Sequence, residues 1–197
     1  IYRQGVRLER REHDSGRTCR LNQIKYKRGL HENTSVQGKA MEIMNFNKAN
    51  AVINGEKIEL SCADNGFCAR DVRVNISGSG EISICAAASP IGYVILECQG
   101  FDNALMLGGA WERSYGDLEW KRVCDKQMPW YFAAESDGRV YCFGVKTGAN
   151  AFCSWRCGEG KITLTIDIRN GSDEIVLNGR ELLACTVVSE EYDTDAF

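Results

Sequence analysis

From residue 41 onward, short apolar or alternating runs are separated by turns that contain glycine or asparagine. The run Val52-Ile53, the pair Asn54-Gly55 and the run 57–60 have the pattern of a hairpin, because Asn-Gly supplies the positive φ angles of a type I′ turn. Residues 162–168 alternate apolar with polar, which is typical of a strand with one buried face. No stretch sustains the apolar period of a long helix. The sequence therefore predicts an all-β domain over 41–197, built as an antiparallel β-sandwich.

Two segments within this domain carry expectations of their own. A second pair, Asn178-Gly179, lies between the apolar runs 175–177 and 181–183, and this spacing predicts another hairpin. The region 102–126 is rich in glycine, aromatic residues and charge but has weak periodicity. We expect it to form a long functional loop instead of strands.

The charge of the chain is unevenly distributed, although the net charge is only −3. Residues 1–40 carry ten Lys/Arg against four Asp/Glu, a balance of +6, and residues 41–197 carry fourteen against twenty-three, a balance of −9. A basic stretch of this kind can bind phosphate backbones, but 1–40 contains no recognisable nucleic-acid motif. We interpret it as a solvated, flexible basic tail, or as sequence upstream of a true start at Met41. The acidic body argues against a nucleic-acid partner.

Ten cysteines in a 197-residue chain is a high count. Cys85, Cys98, Cys142 and Cys185 lie inside strand-like apolar runs, where cysteine behaves as a small hydrophobic residue. A domain of this size needs no disulfides for stability, so we predict free thiols and a reduced, cytoplasmic location. No run of about 18 apolar residues is present, so no membrane partner is expected.

Metal and cofactor chemistry finds little support in the sequence. Cys153 and Cys157 could begin a thiolate site, but their spacing is not that of a CxxC pair and no second pair exists. A Cys62–Cys68 disulfide is equally unexpected in a reduced compartment. Neither a phosphate-binding P-loop nor a complete dinucleotide motif occurs. Both histidines precede residue 41, which excludes Ser-His-Asp and Cys-His catalysis from the predicted domain. We predict no cofactor and no metal.

The segment 107–120 is the most informative stretch of the chain. It combines two tryptophans, an arginine, a tyrosine and three carboxylates within ten residues. Flat aromatic faces and charged planar groups are the mixture that sugar sites use. A structural alternative is that the tryptophans pack the loop onto the sandwich while the charges pair with one another. Elsewhere, Trp130, Phe152 and Trp155 fall within strand patterns, and we expect them in the core.

Several motifs in order resemble the N-terminal domain of glycoside hydrolase family 36, the α-galactosidase and raffinose-synthase group. The densest is Leu-Gly-x-Ala-Trp-Glu-Arg-x-Tyr-Gly-Asp-Leu-Glu-Trp at 107–120, and the resemblance continues through 128–132, 144–155, 164–171 and 181–188. Residues 41–106 agree only through their strand pattern.

This resemblance implies a supersandwich-like N-terminal domain that precedes a (β/α)₈ barrel. Family members retain the anomeric configuration by means of two aspartates on that barrel. The chain stops before a barrel could begin, so the resemblance implies a truncated, inactive fragment with no catalytic residue. Gly109 departs from the family pattern, in which an acidic residue is expected.

We therefore expect the 107–120 loop to contribute to the sugar pocket of the adjoining barrel in the same chain. Asp117 and Arg113 would bond hydroxyl groups of an α-galactoside oligosaccharide, and Trp111 or Trp120 would provide a stacking face. The alternatives are a free-standing carbohydrate-binding module and a stand-alone jelly-roll glycosidase that uses Glu112 and Glu119. Hydrolysis or galactosyl transfer, and a monomer or a homo-oligomer, all remain open at this point.

Overall fold

A computed structural model describes residues 39–40, 44–101, 103–108, 119–122, 124–158, 160–169, 171 and 173–194. Every one of them belongs to the unit Val36–Ala196. No α-helix occurs among these residues, and none of their elements has the length and apolarity of a membrane-crossing helix.

The described residues form fifteen strands. In chain order they are β1 (Lys39–Ala40), β2 (Lys48–Ile53), β3 (Glu56–Ala63), β4 (Gly66–Ala69), β5 (Val72–Ile76), β6 (Glu81–Ala86), β7 (Pro90–Gln99), β8 (Leu105–Gly108), β9 (Cys124–Pro129), β10 (Tyr131–Ser136), β11 (Arg139–Val145), β12 (Phe152–Gly158), β13 (Lys161–Asp167), β14 (Ile175–Val176) and β15 (Glu181–Asp193).

Antiparallel ladders join these strands in the order β8-β10-β11-β15-β6-β5-β4-β3-β2-β7-β13-β12-β9, with β14 beside β7. β8 and β9, at the two ends of this order, are in contact, so the sheet forms a nearly closed, barrel-like sandwich. The predicted all-β antiparallel fold is confirmed. β1 pairs with β15, so the sheet includes two residues that the sequence analysis assigned to the basic tail.

Burial follows the predicted period of two. Ile162, Leu164 and Ile166 on β13 are at most 1% exposed, and the residues between them are not buried. Burying each such side chain stabilises the fold by about 1.5–3 kcal/mol. The Asn54-Gly55 hairpin is also confirmed: its φ angles are 54° and 75°, and Ile53 pairs with Glu56 across the turn.

The second predicted hairpin is wrong, although its turn forms. Asn178 and Gly179 have φ angles of 54° and 74°, and the amide of Arg180 donates to the Leu177 carbonyl at 3.1 Å. The strands on either side of this turn nevertheless do not pair with each other, because β14 pairs with β7 while β15 pairs with β6 and β11. A local turn signal fixes the reversal of the chain, but the wider sheet decides which strand each arm joins.

The expectation of one long loop over 102–126 is wrong at both ends. Leu105–Gly108 is a strand on β10, and Cys124–Pro129 is a strand on β12. Both are edge strands with one ladder partner each. β8 has only four residues, and the six residues of β9, Cys-Asp-Lys-Gln-Met-Pro, do not alternate apolar with polar, so neither segment carries a strand pattern.

Of the three aromatic residues expected in the core, only Trp155 is fully buried, where it packs against Phe132 and Phe143. Trp130 and Phe152 are each 40% exposed, so for them the prediction is wrong. Phe152 lies on the outer face of β12, opposite in parity to Trp155. Trp130 lies between β9 and β10, where the strand alternation is interrupted.

Eight cysteines, all those whose side chains the structure describes, are free, as predicted from their settings. Burial raises the pKa of Cys98 to about 12, and burial together with the Glu190 charge raises the pKa of Cys142 to about 11. Cys185 interacts with Cys153, and this hydrogen bond and burial raise its pKa as well. These thiols are therefore protonated and act as packing groups.

Gly78 and Gly80 lie in the turn between β5 and β6, against which β15 packs. Substituting each of them tests how closely β15 approaches this turn. Gly80 has a φ of 83°, and a Cβ there would lie 2.2 Å from the Val187 carbonyl oxygen. We expect Gly80→Ala to lower the free energy of unfolding by about 2 kcal/mol or more, through backbone strain and steric overlap. Urea denaturation followed by circular dichroism measures this change.

Gly78→Ala is the matched control, because a Cβ at Gly78 meets nothing within 4 Å and its φ is not in the left-handed region. Its unfolding free energy should stay within about 1 kcal/mol of the wild type. Equal losses in the two variants would contradict the close approach of Val187 to Gly80.

Candidate functional site

Three of the four residues predicted to contact sugar, Trp111, Arg113 and Asp117, lie outside the described residues. The fourth, Trp120, is half-buried. Beside it, the Glu119 carboxylate lies 3.7 Å from the Lys121 ammonium, and both side chains are more than half exposed. An ion pair this exposed contributes little to stability.

The base of the 107–120 segment is held at one point of the sheet. The amide of Met106 donates to the Lys121 carbonyl at 2.6 Å, and the amide of Lys121 donates to the Met106 carbonyl at 2.8 Å. Met106 and Leu107 are buried in β8. This isolated bridge therefore joins β8 to the residue that directly follows the 107–120 segment.

A groove of about 580 Å³ lies on the outer face of β7, β12 and β13. Ile162, Leu164 and Ile166 of β13 face the core, so the polar residues that alternate with them along the strand lie on this outer face. The groove is lined by Lys57, Tyr93, Ile95, Glu97, Gln127, Ser154, Trp155, Arg156, Gly158, Lys161, Thr163, Thr165, Asp167 and Arg169. No local sequence pattern marks this groove, because its residues come from five separate strands and from the segment that follows β13.

A row of side chains crosses three of these strands at one end of the groove. Asp167 on β13 pairs with Tyr93 on β7 and with Phe152 on β12. Residues opposite one another in an antiparallel ladder lie on the same face, about 5 Å apart. We call Tyr93, Asp167, Arg169, Phe152 and Trp130 the aromatic row.

Asp167 and Arg169 form a fixed ion pair within the aromatic row. Nε of Arg169 donates to both carboxylate oxygens of Asp167, at 3.0 and 3.2 Å, and Nη2 donates at 2.5 Å. Burial alone would raise the pKa of Asp167, but the hydrogen bonds and charge of Arg169 lower it overall. The guanidinium also lies 5.5 Å from the centre of the Tyr93 ring, in a cation–π arrangement.

Trp130 ends the aromatic row and has an unusual backbone. Its φ is 65°, a conformation that costs a bulky residue about 1–3 kcal/mol. Its carbonyl accepts from the Val145 amide at 2.8 Å and from Nε1 of Trp155 at 3.2 Å. Its ring meets Phe152 edge to face at 5.7 Å. These hydrogen bonds thus hold the Trp130 backbone in its strained conformation, and the exposed ring keeps a fixed position.

The sequence contains a signal for Phe152 but none for Trp130. Phe152 shares its parity with Ser154 and Arg156, whereas Cys153, Trp155 and Cys157 are the apolar set of β12. That alternation indicates an outward Phe152. The conformation of Trp130 depends on two ladders from distant parts of the chain, which no local pattern reports.

The groove offers no acid–base pair for catalysis. Its carboxylates are Glu97 and Asp167, and the lowered pKa of Asp167 makes it unsuited to donate a proton near neutral pH. Glu112, one of the two acids of the stand-alone glycosidase alternative, lies outside the described residues. Within the described ranges no three His, Cys, Asp or Glu residues cluster as metal ligands, and Cys153 and Cys157 are buried in the core.

Comparison with protein-family models, with curated proteins and with solved structures finds no match to this chain.

The Asp167–Arg169 pair has a testable pH dependence. Because the folded pKa of Asp167 is lowered, its stabilisation is complete above the unfolded pKa of about 3.9 and is lost as the pH falls through the folded value. We expect Asp167→Asn to lower the unfolding free energy by about 0.5–1 kcal/mol at pH 7 and by progressively less as the pH falls below about 3.9.

Urea titrations at several pH values measure both variants against the wild type. Glu59→Gln is the control, since Glu59 lies 3.9 Å from Lys48 in a pair with both side chains exposed. It should change stability little at any of these pH values. A loss for Asp167→Asn that stays the same from pH 7 into the acid range would contradict the carboxylate's role as the charged partner of Arg169.

Proposed function

We propose that this chain is the non-catalytic N-terminal β-sandwich domain of a retaining α-galactosidase of the family-36 group. Its substrates would be oligosaccharides with terminal α-galactosyl residues. The all-β antiparallel fold and the collinear motifs between 107 and 188 support this proposal. The observation that carries it is the reciprocal pair of hydrogen bonds between Met106 and Lys121.

Those hydrogen bonds matter because they join the ends of the segment that holds Trp111, Arg113 and Asp117. A loop with fixed, adjacent ends loses less conformational freedom when its side chains engage a ligand. Met106 is 7% exposed, so the anchor belongs to the core of the domain. Loops on such a scaffold are where proteins commonly place binding residues.

The proposed division of labour separates binding from bond cleavage. Two aspartates on a (β/α)₈ barrel would act as nucleophile and acid/base, in the mechanism of retaining glycosidases. Asp117 and Arg113 would accept from and donate to sugar hydroxyls, while Trp111 or Trp120 stacks on a pyranose ring. Binding energy of this remote kind is used to orient the scissile bond.

A reduced cytoplasm is the compartment we propose for this enzyme. Eight cysteines are free, and four of them are buried where an oxidant has little access. The absence of disulfides among the described residues supports this location.

The isolated chain should not hydrolyse an aryl α-galactoside, because the proposed nucleophile and acid/base lie on the barrel. Release of the chromogenic phenol, followed by absorbance, measures this. Turnover that disappears in Glu112→Gln or Glu119→Gln would instead identify a stand-alone glycosidase.

In the enzyme that includes the barrel, Asp117→Ala should lower kcat/KM by roughly ten- to a thousandfold, since removal of a charged partner leaves substrate hydroxyls unpaired. The melting temperature should change little, because a carboxylate that contacts substrate contributes little to the core. Steady-state kinetics and thermal denaturation on the same preparation give both quantities.

Asp64→Ala is a suitable control, because Asp64 is an exposed carboxylate in the turn between β3 and β4. It should leave kcat/KM unchanged. A lowered melting temperature with unaltered kinetics in Asp117→Ala would show a structural carboxylate and refute the substrate contact.

A further inference from the structure

We propose that the aromatic row is a second carbohydrate-binding site, distinct in its residues from the 107–120 segment. Its ligand would be a neutral oligosaccharide chain lying across β12, β13 and β7. The identity of the sugar, an α-galactosyl oligosaccharide, rests on the proposed function. The site itself rests on the geometry of the outer sheet face.

The first argument is the exposure and fixed orientation of two aromatic rings. Trp130 and Phe152 are each 40% exposed, and their edge-to-face contact has an interplanar angle of 73°. Each ring therefore limits the rotation of the other while part of its surface stays open to solvent. Flat apolar surface held in this way is what the C–H face of a pyranose packs against.

The second argument is the backbone of Trp130. A positive φ at a bulky residue is strained, and such strain persists where the surrounding structure over-determines it, commonly at binding sites. The Trp130 carbonyl is held by Val145 from one ladder and by Trp155 from the core. Neither hydrogen bond uses the Trp130 side chain. The tryptophan ring therefore takes no part in these hydrogen bonds that hold the corner between β9 and β10.

The third argument is the fixed polar group between the rings. Nε and Nη2 of Arg169 donate to Asp167, and the three other N–H groups of the guanidinium are one on Nη2 and two on Nη1. The Thr165 hydroxyl, one step along β13, also lines the groove. Planar donors and hydroxyls in fixed positions are the partners that sugar hydroxyls need.

Within the aromatic row the two charged groups are paired with each other, which favours a neutral ligand there; the cations Lys57, Arg156 and Lys161 line other parts of the groove. The Arg169 charge is neutralised by Asp167 through a two-point contact. An anion would have to compete with the Asp167 carboxylate for the Arg169 guanidinium. A sugar hydroxyl can accept from the other N–H groups of Arg169 without displacing Asp167.

The length of the row fits a chain of sugars. Phe152, Asp167 and Tyr93 lie on three adjacent strands. Two interstrand steps of about 4.8 Å place the backbones of Phe152 and Tyr93 about 10 Å apart, the scale of linked pyranoses. A single monosaccharide would reach only one end.

The experiment uses the whole 197-residue chain with two probes, raffinose in isothermal titration calorimetry and soluble galactomannan in affinity electrophoresis. We expect the wild type to bind both. Trp130→Ala and Phe152→Ala should each weaken binding at least tenfold, because each removes one stacking face. Phe152→Leu, which keeps apolar volume but removes the ring, should weaken binding similarly and covers the case that the alanine variant does not fold.

Tyr131→Ala is the matched control. Tyr131 is 47% exposed and adjacent to Trp130, but it lies on β10, whose ladder partners are β8 and β11. It should change affinity less than twofold. Equal losses for Tyr131→Ala and Trp130→Ala, no binding by the wild type, or binding to single-stranded nucleic acid in place of galactomannan would each overturn the proposal.

The two proposals fail in different ways. If the barrel-containing enzyme hydrolyses α-galactosides while this chain binds neither probe, the second site is refuted and the proposed function stands. If the chain binds galactomannan through Trp130 and Phe152 but the complete protein has no α-galactosidase activity, the proposed function is refuted and the second site stands.

Discussion

Burial of one face of a continuous antiparallel sheet is the constraint on which the rest of the structure depends. Side chains alternate between the two faces of a strand, so the position of one buried residue fixes the direction of its neighbours. Val94, Ile166 and Cys153 are buried. The residues beside them, Tyr93, Asp167 and Phe152, must then face outward. The groove and the aromatic row follow directly from the packing of the core.

The corner at Trp130 shows how core and surface are coupled. Trp155 is fully buried among Phe132 and Phe143, yet its indole N–H reaches the Trp130 carbonyl at the edge of the core. A buried indole N–H needs an acceptor, and here the acceptor is the carbonyl of a strained residue. The hydrogen bond satisfies the buried tryptophan and holds the exposed one. Stability of the core and geometry of the surface ring therefore depend on the same contact.

Sequence reasoning succeeded where the deciding interaction is local. The Asn54-Gly55 turn, the alternation of β13 and the free thiols in apolar runs each depend on residues a few positions apart. It failed where partners are distant. Asn178-Gly179 makes its turn, but the strand order sends β14 and β15 to different neighbours. The edge strand β8 has only four residues, and β9, with the sequence Cys-Asp-Lys-Gln-Met-Pro, has no apolar alternation.

The amino-acid sequence by itself determined the all-β class, the antiparallel arrangement of short strands and the packing role of the free cysteines in apolar runs, because alternation and turn chemistry act within a few residues. It also carries the 107–120 motif, whose function stays a proposal. Only the tertiary structure decided that Met106 and Lys121 close the base of that segment and that Trp130 faces solvent. It alone brought Tyr93, Asp167 and Phe152 into one row. The physical reason is that register between strands is set by burial of the whole face, and residues about 60 positions apart become neighbours only when that face closes.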